Sequence, residues 1–478
     1  MSDIVKQLDH IFKPNTIAVI GASENIAKWG YLMVERPLRT GFPGKIYPVN
    51  AQADRILGLT CFPSVKEIPA QVDLAVITTP INQVVRVMEE CSEKGVRGIV
   101  LISAGFGETG DAGKAIEQKI LKIARKSGIR FVGPNGMGIW SAAGNLNLAF
   151  DDSPPAGHIA FISQSGTFGG YMAEVARSQG YGLRMFISIG NQTDLTVADY
   201  IEYLSYDEKT RAIIIYMEGV KDGRRFMEVC KETLKTKPII IYKGGATSAG
   251  ARAAMSHTAS IAGSEIVFQS ACQQIGLIRT QEAFQTFEIA IAMLNQPLPR
   301  GRRVGIVGTG GQGVVAIDAC QKLGLEIPEL DENSAMEIMK MLPTHAPLPK
   351  NPVDFAGGYR TAMDEAKAVE MLMKLDYIDS VITNVPVNPT VWGIRFDRVS
   401  DSSLMEQAMK IADDGTKYLC RLPSIYNKPV VCVRWHRGSK KDPFEEVLIK
   451  SGIPVYDTPE QCARALQALA RYAEVRNR

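Results

Sequence analysis

The chain has 478 residues, 45% apolar and 22% charged, an ordinary globular composition long enough for about three domains of ~150 residues. A net charge of +3 argues against nucleic acid or an anionic membrane as partner, and no apolar run reaches the length of a bilayer span. The eight cysteines are dispersed, no Cys-x-x-Cys pair occurs and there are only five histidines, so neither a disulfide framework nor a metal site is expected. Reduced thiols and a polar start, Met1–His10, with no secretory signal point to the cytoplasm.

Strand and helix signals then alternate. Thr16–Ile20 is a short apolar strand, Gly21-Ala22-Ser23 a tight turn, and a helix follows toward Arg39. Further strands read at Lys45–Asn50, Asp73–Thr79, Arg97–Ser103 and Ile129–Gly133, with helical periodicity at Gln83–Lys94 and Ala112–Lys126. This alternation predicts an α/β fold of doubly wound parallel sheets, with ligands at the carboxyl ends of the strands. The first turn is not a full Gly-x-Gly-x-x-Gly, and the second strand ends Pro48-Val49-Asn50 without an acid. A nicotinamide dinucleotide wants that acid for its ribose hydroxyl. What remains is a nucleotide with its phosphates on backbone amides, or a turn that serves packing alone.

Gly133-Pro134-Asn135-Gly136 follows the fifth strand, and Asp151–Gly157 reads as a linker. The strand His158–Ser163 runs into Gln164-Ser165-Gly166-Thr167 and a helix. Such a junction is either an anion site or an ordinary Ser/Thr cap. Strands at Arg184–Gly190, Arg211–Met217 and Pro238–Lys243 complete a second α/β segment ending near Asn295. Gln296–Arg302 is the clearest linker. A third segment opens with Arg303–Gly308, a glycine turn Gly308–Gly313 and a helix through Lys322. Proline-rich Leu342–Pro352 leads to Val353-Asp354-Phe355-Ala356-Gly357-Gly358. Strands at Ser380–Val385, Pro429–Arg434 and Ile453–Tyr456 follow, with a closing helix from Pro459. The expected domains are 1–150, 151–295 and 303–478.

Between the strand ending at Lys243 and a helix from about Glu265 lies a run of small residues with a single imidazole, His257. It reads either as a surface loop with an incidental histidine or as a mobile arm presenting a nucleophile. Glu218 ends an apolar strand as Met217-Glu218-Gly219, where a side chain in such a sheet faces the ligand crevice. A carboxylate on one ring nitrogen would fix the tautomer and leave the other nitrogen nucleophilic. With a helix N-terminus at Ser165-Gly166-Thr167 to hold phosphoryl oxygens, these are the parts of a phosphohistidine site.

Seven stretches carry a resemblance: Ile20-Gly21-Ala22-Ser23, Tyr47-Pro48-Val49-Asn50, Ile102-Ser103-Ala104-Gly105-Phe106, Gly133-Pro134-Asn135, Ser163-Gln164-Ser165-Gly166-Thr167, Met217-Glu218-Gly219 and Ser256-His257-Thr258-Ala259. In this order, over essentially the whole chain, they resemble the alpha subunit of NDP-forming acyl-CoA synthetases. This is the ADP-forming acetyl-CoA synthetase type, of the succinyl-CoA synthetase superfamily. The resemblance implies a Rossmann-like CoA-binding domain, 1–150, followed by two flavodoxin-like ligase domains. It implies CoA at Gly21, Ala22, Ser23, Val49, Asn50, Thr79, Pro80, Ser103 and Ala104. It implies phosphorylation of His257, supported by Glu218. Phosphate would be held at Asn135, Ser165, Gly166, Thr167, Gly357 and Gly358. One departure is Gln312, in the turn Gly310–Gly313, where the family is expected to carry proline or a small residue.

The family's nucleotide sits on an ATP-grasp module, with Mg2+. Nothing up to Arg478 reads as that module, and no Gly-x-x-x-x-Gly-Lys-Ser/Thr loop replaces it. The expectation is therefore an ATP-grasp beta subunit in an α2β2 assembly. The alternatives are a CoA-binding regulator that has lost catalysis, which would need neither His257 nor Glu218, and a Rossmann dehydrogenase, which would need the missing acid.

Overall fold

The computed structural model describes residues 3–258, 264–308, 310–356, 361–386, 402–434 and 442–477, of which 254–258, 402, 404 and 405 are described by backbone alone. It divides into two compact units, Met1–Ala290 and Ile291–Arg478.

The first unit opens with helix α1 (Asp3–Phe12), then β1 (Thr16–Ile20), α2 (Trp29–Arg39), β2 (Lys45–Val49) and a small hairpin, β3 (Arg55–Ile56) and β4 (Leu59–Thr60). There follow β5 (Leu74–Ile77), α3 (Ile81–Lys94), β6 (Gly98–Leu101), α4 (Asp111–Ser127) and β7 (Arg130–Val132). The strands form a parallel sheet in the order β2-β1-β5-β6-β7. The central strands β1, β5 and β6 are buried on both faces, as a sheet covered by helices on each side requires. The order reverses between β1 and β5, which opens a crevice at their carboxyl ends.

Helix α1 has no counterpart among the sequence expectations. Its start is polar, but Val5, Leu8, Ile11 and Phe12 fall on one face and are buried. Phe12 stacks on Tyr203 at 5.0 Å between ring centroids, and the Tyr203 hydroxyl donates to Asp9 at 2.7 Å.

A second sheet is built from β8 (Ile139–Ser141), β9 (Leu146–Asn147), β10 (Ala156–Ser163), β11 (Leu183–Ser188), β12 (Ala212–Met217), β13 (Ile239–Lys243) and β14 (Ile278–Arg279). Its order is β14-β13-β12-β10-β11-β8-β9. The helices are α5 (Gly166–Ser178), α6 (Val197–Tyr206), α7 (Gly223–Leu234), α8 (Ser248–Thr258), α9 (Glu265–Ile275) and α10 (Gln285–Asn295). The hairpin β8–β9 precedes residue 150 yet pairs antiparallel with β11, Trp140 opposite Phe186. The chain therefore leaves the first sheet after Val132, ahead of the linker composition at Asp151–Gly157.

The run before Glu265, expected as an arm without regular structure, is helical over Ser248–Thr258. Glycine weighs toward freedom, but Ala249, Ala251, Ala253 and Ala254 outweigh it, alanine being the strongest helix former. The Thr247 hydroxyl accepts from the Gly250 amide at 3.1 Å and caps the first turn.

The second unit takes up the end of α10 and holds β15 (Val304–Gly308), α11 (Gly311–Lys322), α12 (Glu332–Met339), β16 (Val353–Asp354), α13 (Ala362–Lys374), β17 (Ser380–Asn384), α14 (Ser402–Tyr426), β18 (Val430–Val433), α15 (Pro443–Lys450), β19 (Val455–Tyr456) and α16 (Pro459–Arg476). Its parallel sheet runs β16-β15-β17-β18-β19. One face packs on a core around Phe355, Val369 and Leu372, and the other on the alanine-rich face of α16. Among the described residues no helix is long and apolar enough to cross a membrane.

Replacing Phe12 by alanine should leave a cavity under α1 and destabilise the first unit by about 3–5 kcal/mol. Urea titration followed by circular dichroism reads this, with Tyr203→Phe losing only about 1 kcal/mol.

Candidate functional site

The carboxyl ends of β2, β1, β5 and β6 lie in one row and are tied side to side. Gly21 and Ala22 donate to the Val49 carbonyl at 3.1 and 3.3 Å, and Asn50 Nδ2 donates back to the Ala22 carbonyl at 2.8 Å. The Thr78 hydroxyl donates to the Gly21 carbonyl at 3.2 Å, and the Ser103 hydroxyl to the Thr79 carbonyl at 2.6 Å. Gly21 has φ 89°, and a Cβ there would meet Thr78 Oγ1 at 2.8 Å, so the turn needs glycine. The structure thus brings Gly21, Ala22, Ser23, Val49, Asn50, Thr79, Pro80, Ser103 and Ala104 to a single edge. Thr79 Oγ1 is buried without a hydrogen-bond partner among the described residues, an orphan that a ligand's polar group at this edge would satisfy.

In the second sheet the order reverses between β10 and β12. Ser165 and α5 follow β10, and Glu218 follows β12, so both stand at the switch point. One side chain joins them. The Gln164 amide oxygen accepts from the Glu218 amide at 2.8 Å and the Gly219 amide at 3.2 Å, while the Gln164 backbone donates to Tyr216 O at 3.0 Å. Glu218 is 4% exposed, and its Oε1 accepts from the Tyr216 hydroxyl at 3.4 Å. Burial, with the Glu218 carboxylate beside it, raises the Tyr216 phenol above its usual value. Ser165 caps α5, its hydroxyl accepting from the Phe168 amide at 3.4 Å. The first-turn amides of Gly166 and Thr167 have no upstream carbonyl within the helix, and Thr167 is exposed. A Cβ on Gly166 would sit 2.9 Å from Met137 Cβ, so the residues just after Asn135 pack directly on this helix end.

The chain passes from Lys243 over this site. Gly244 donates to the Met217 carbonyl at 2.8 Å, and a Cβ there would lie 3.6 Å from Glu218 Cγ. Lys243 is buried with its ammonium 3.8 Å from Glu265, and Glu265 also pairs with Arg279. Burial lowers the Lys243 pKa. The segment carrying His257 is therefore flanked by an ion cluster of buried Lys243 with half-buried Glu265 and Arg279. His257 belongs to α8 by its backbone; its side chain lies outside the described residues, as does any contact it makes with Glu218. Helix α8 runs beside the turn Gly107–Thr109 that follows β6.

In the second unit Asp354 Oδ1 accepts from the amides of Gly310, at 3.0 Å, and Ala356, at 2.8 Å, which joins the turn before α11 to the end of β16. Gly357 and Gly358 lie outside the described residues. Gln312, the departure noted above, has a buried Oε1 with no partner among the described residues.

Sequence reasoning missed Gln164 as a brace, and it missed Glu108. Glu108 Oε1 accepts from the Gly105 and Phe106 amides at 2.6 and 3.1 Å, and its Oε2 from Asn191 at 2.6 Å. Burial opposes its ionisation, but these hydrogen bonds outweigh burial and hold the carboxyl below its usual range.

Gln164→Leu should leave two buried amides bare, at about 1–3 kcal/mol each, measured as a fall in the urea midpoint. Glu108 titrates lower folded than unfolded, so its stabilisation is present above the ordinary carboxylate range and is lost as pH falls through the depressed value. The gap in unfolding free energy between the parent and Glu108→Gln should thus be widest near neutral pH and close in acid, as urea titrations across that range would record.

Residues 15–141 match the model of the CoA binding domain, and residues 156–293 that of the succinyl-CoA ligase like flavodoxin domain. Over 468 residues the chain is 39% identical to the acetate–CoA ligase (ADP-forming) II subunit alpha of Pyrococcus furiosus, covering 98% of each chain. It is 35% identical to the acetate–CoA ligase (ADP-forming) II of Archaeoglobus fulgidus, a match over 99% of this chain and 68% of that protein. Among solved structures, the dinucleotide forming acetyl-coenzyme A synthetase 1 of Ca. Korarchaeum cryptofilum, in complex with phosphate and ADP, gives a TM-score of 0.85 at 31% identity, covering 98% of this chain and 97% of that one. With likeness of this grade from end to end, the chain belongs to the family of ADP-forming acetate–CoA ligase alpha subunits.

Proposed function

We propose that this chain is the CoA- and phosphate-handling subunit of an ADP-forming acyl-CoA ligase. It interconverts acyl-CoA, phosphate and ADP with the free acid, CoA and ATP. The observation that carries the reading is the pair of strand ends braced by Gln164. A buried carboxylate, Glu218, and a helix N-terminus, Ser165–Thr167, face the same switch point. The domains would be a CoA-binding part, 1–150, and two ligase parts, 151–295 and 303–478. CoA would lie along the row from Gly21 to Ala104, which includes the buried Thr79 hydroxyl that has no hydrogen-bond partner among the described residues.

Phosphate, held by Asn135 and the amides of Gly166 and Thr167, attacks the thioester carbonyl. The C–S bond breaks, CoA leaves as the thiolate, and an acyl phosphate remains. A nitrogen of His257 then attacks phosphorus, the P–O bond to the acyl group breaks, and the carboxylate leaves. Glu218 on the other ring nitrogen stabilises the charge this builds. Gly357 and Gly358 would serve a second phosphate contact. The phosphohistidine passes its phosphoryl group to ADP on a partner subunit of ATP-grasp type, where bound Mg2+ would offset the nucleotide's charge. That partner fits the name of the Pyrococcus furiosus relative, a subunit alpha. An α2β2 assembly in the cytoplasm is the arrangement we expect.

The test uses the full chain with its partner subunit and γ-labelled ATP. His257→Ala should fold and bind CoA, yet lose both net synthesis and the acid-labile, base-stable label. Glu218→Gln should keep some label and turn over more slowly, by roughly one to two decades if a charged hydrogen bond of ~1.5–3 kcal/mol is felt in the transition state. Phosphate found on Ser256 or Thr258 by mass spectrometry under non-acidic conditions, with His257→Ala still active, would overturn the mechanism. Retained CoA binding with no phosphoryl label in the parent would favour a regulator instead.

A further inference from the structure

Two loops interlock between the two sheets of the first unit. One, Gly133–Met137, follows β7; the other, Gly190–Thr193, follows β11. The Asn191 amide donates to the Pro134 carbonyl at 2.9 Å, and the Thr193 amide to the Gly133 carbonyl at 3.2 Å. Gly190, at φ 54°, passes so close that a Cβ would lie 2.1 Å from Pro134 O. The backbone of Asn191 therefore has one place to be, and the side chain is 6% exposed.

That side chain has carboxylates on one side. Asn191 Nδ2 lies 2.6 Å from Glu108 Oε2 and 2.8 Å from Glu117 Oε1. Glu117 Oε1 also accepts from the Gly107 amide at 3.1 Å. An ionised carboxylate only accepts, so the atom of Asn191 facing the glutamates has to be the nitrogen. Its Oδ1 then faces the opposite way, 3.4 Å from Asn135 Nδ2. An oxygen there can only accept, so Asn135 in turn is held with its nitrogen toward Asn191. The orientation of an isolated asparagine amide is ambiguous. Here the charge of two glutamates sets it, relayed through Asn191. Asn135 is further held at φ 61°, with its backbone amide donating to the Ser103 carbonyl at 3.0 Å.

We propose that Asn191 is a positioning residue for phosphate. It relays the polarity of Glu108 and Glu117 to Asn135 and so decides which face of the Asn135 amide the anion meets. It also inserts a neutral group between two acids and an anion site. The inference rests on the reading of Asn135 as a phosphate contact. Neither glutamate touches phosphate in this scheme; both act through Asn191.

Asn191→Asp is the informative change. It keeps the size, puts a third carboxylate against two, and brings that charge one residue from the anion. The assay is phosphate-dependent thiol release from acetyl-CoA by the chain with its partner subunit, with inorganic phosphate varied. The phosphate KM should rise about tenfold or more, as loss of a charged hydrogen bond would give, while the acetyl-CoA KM stays within about twofold. Pairing Asn191→Asp with Glu108→Gln restores one amide donor and one carboxylate with total charge unchanged, and should recover the Tm while the phosphate KM stays raised, because the charge still lies beside the anion. If Asn191→Asp does not fold, Asn191→Ser removes the relay without adding charge and should raise the same constant severalfold. Both constants moving together with a fall in Tm would mean a merely structural role and overturn the proposal. Asn135→Ala raising the phosphate KM while the Asn191 variants leave it alone would overturn the relay and spare the reading of Asn135. Asn135→Ala without effect would remove both.

Discussion

One side-chain oxygen sets the geometry of the switch point in the second sheet. Gln164 sits at the end of β10 and accepts the two amides that turn the chain at the end of β12. Parallel strands already hold those ends about 4.8 Å apart. Without a brace, however, the turn at Glu218 would be free to choose its path. The brace makes the carboxylate and the helix N-terminus parts of one rigid edge. In the mechanism proposed above, a negative charge developing here would meet the amides of Gly166 and Thr167 already in place, which is where electrostatic catalysis draws its strength.

The same economy joins the two sheets of the first unit. Arg130, at the start of β7, donates to Asp194 at 2.8 Å, and Asp194 also accepts from the Phe131 amide at 3.0 Å. A buried pair of this kind adds little net stability, because desolvation offsets the attraction. It does define a register. It ties β7 to the loop that follows β11, a few residues from the interlock at Pro134 and Asn191. The row from Gly21 to Ala104 and the switch point at Ser165 and Glu218 therefore belong to one body, and the distance between them is not left to a linker.

Much of this was legible in the residues. Every long strand shows as an apolar run ending in glycine, serine or a polar residue, because a strand buried on both faces has to be apolar throughout. The edge from Gly21 to Ala104 and the placing of Glu218 and Ser165 follow from those strand ends. Other features have no local signal. Gln164 is an ordinary polar residue after a strand, and its role is visible only when β12 lies beside it. Asn191 and Glu108 are 83 positions apart. Their bond depends on two loops from different sheets arriving together, and no spacing along the chain encodes that. Helix α1 was hidden by its charged residues, and the hairpin Ile139–Asn147 by a linker composition that lies beyond it. The helix Ser248–Thr258 was hidden because small residues were read as glycine-like, although alanines outnumber its one glycine.

Helix α1 carries a consequence for how the chain is made. Its apolar face is completed by β6, β8 and α6, and the last of these spans Val197–Tyr206. At a ribosome adding about 5–20 residues per second, roughly ten to forty seconds separate the helix from that final partner. During this interval Val5, Leu8, Ile11 and Phe12 can be only partly covered by the growing chain. Helix α1 is thus sealed well after it is made, when α6 arrives.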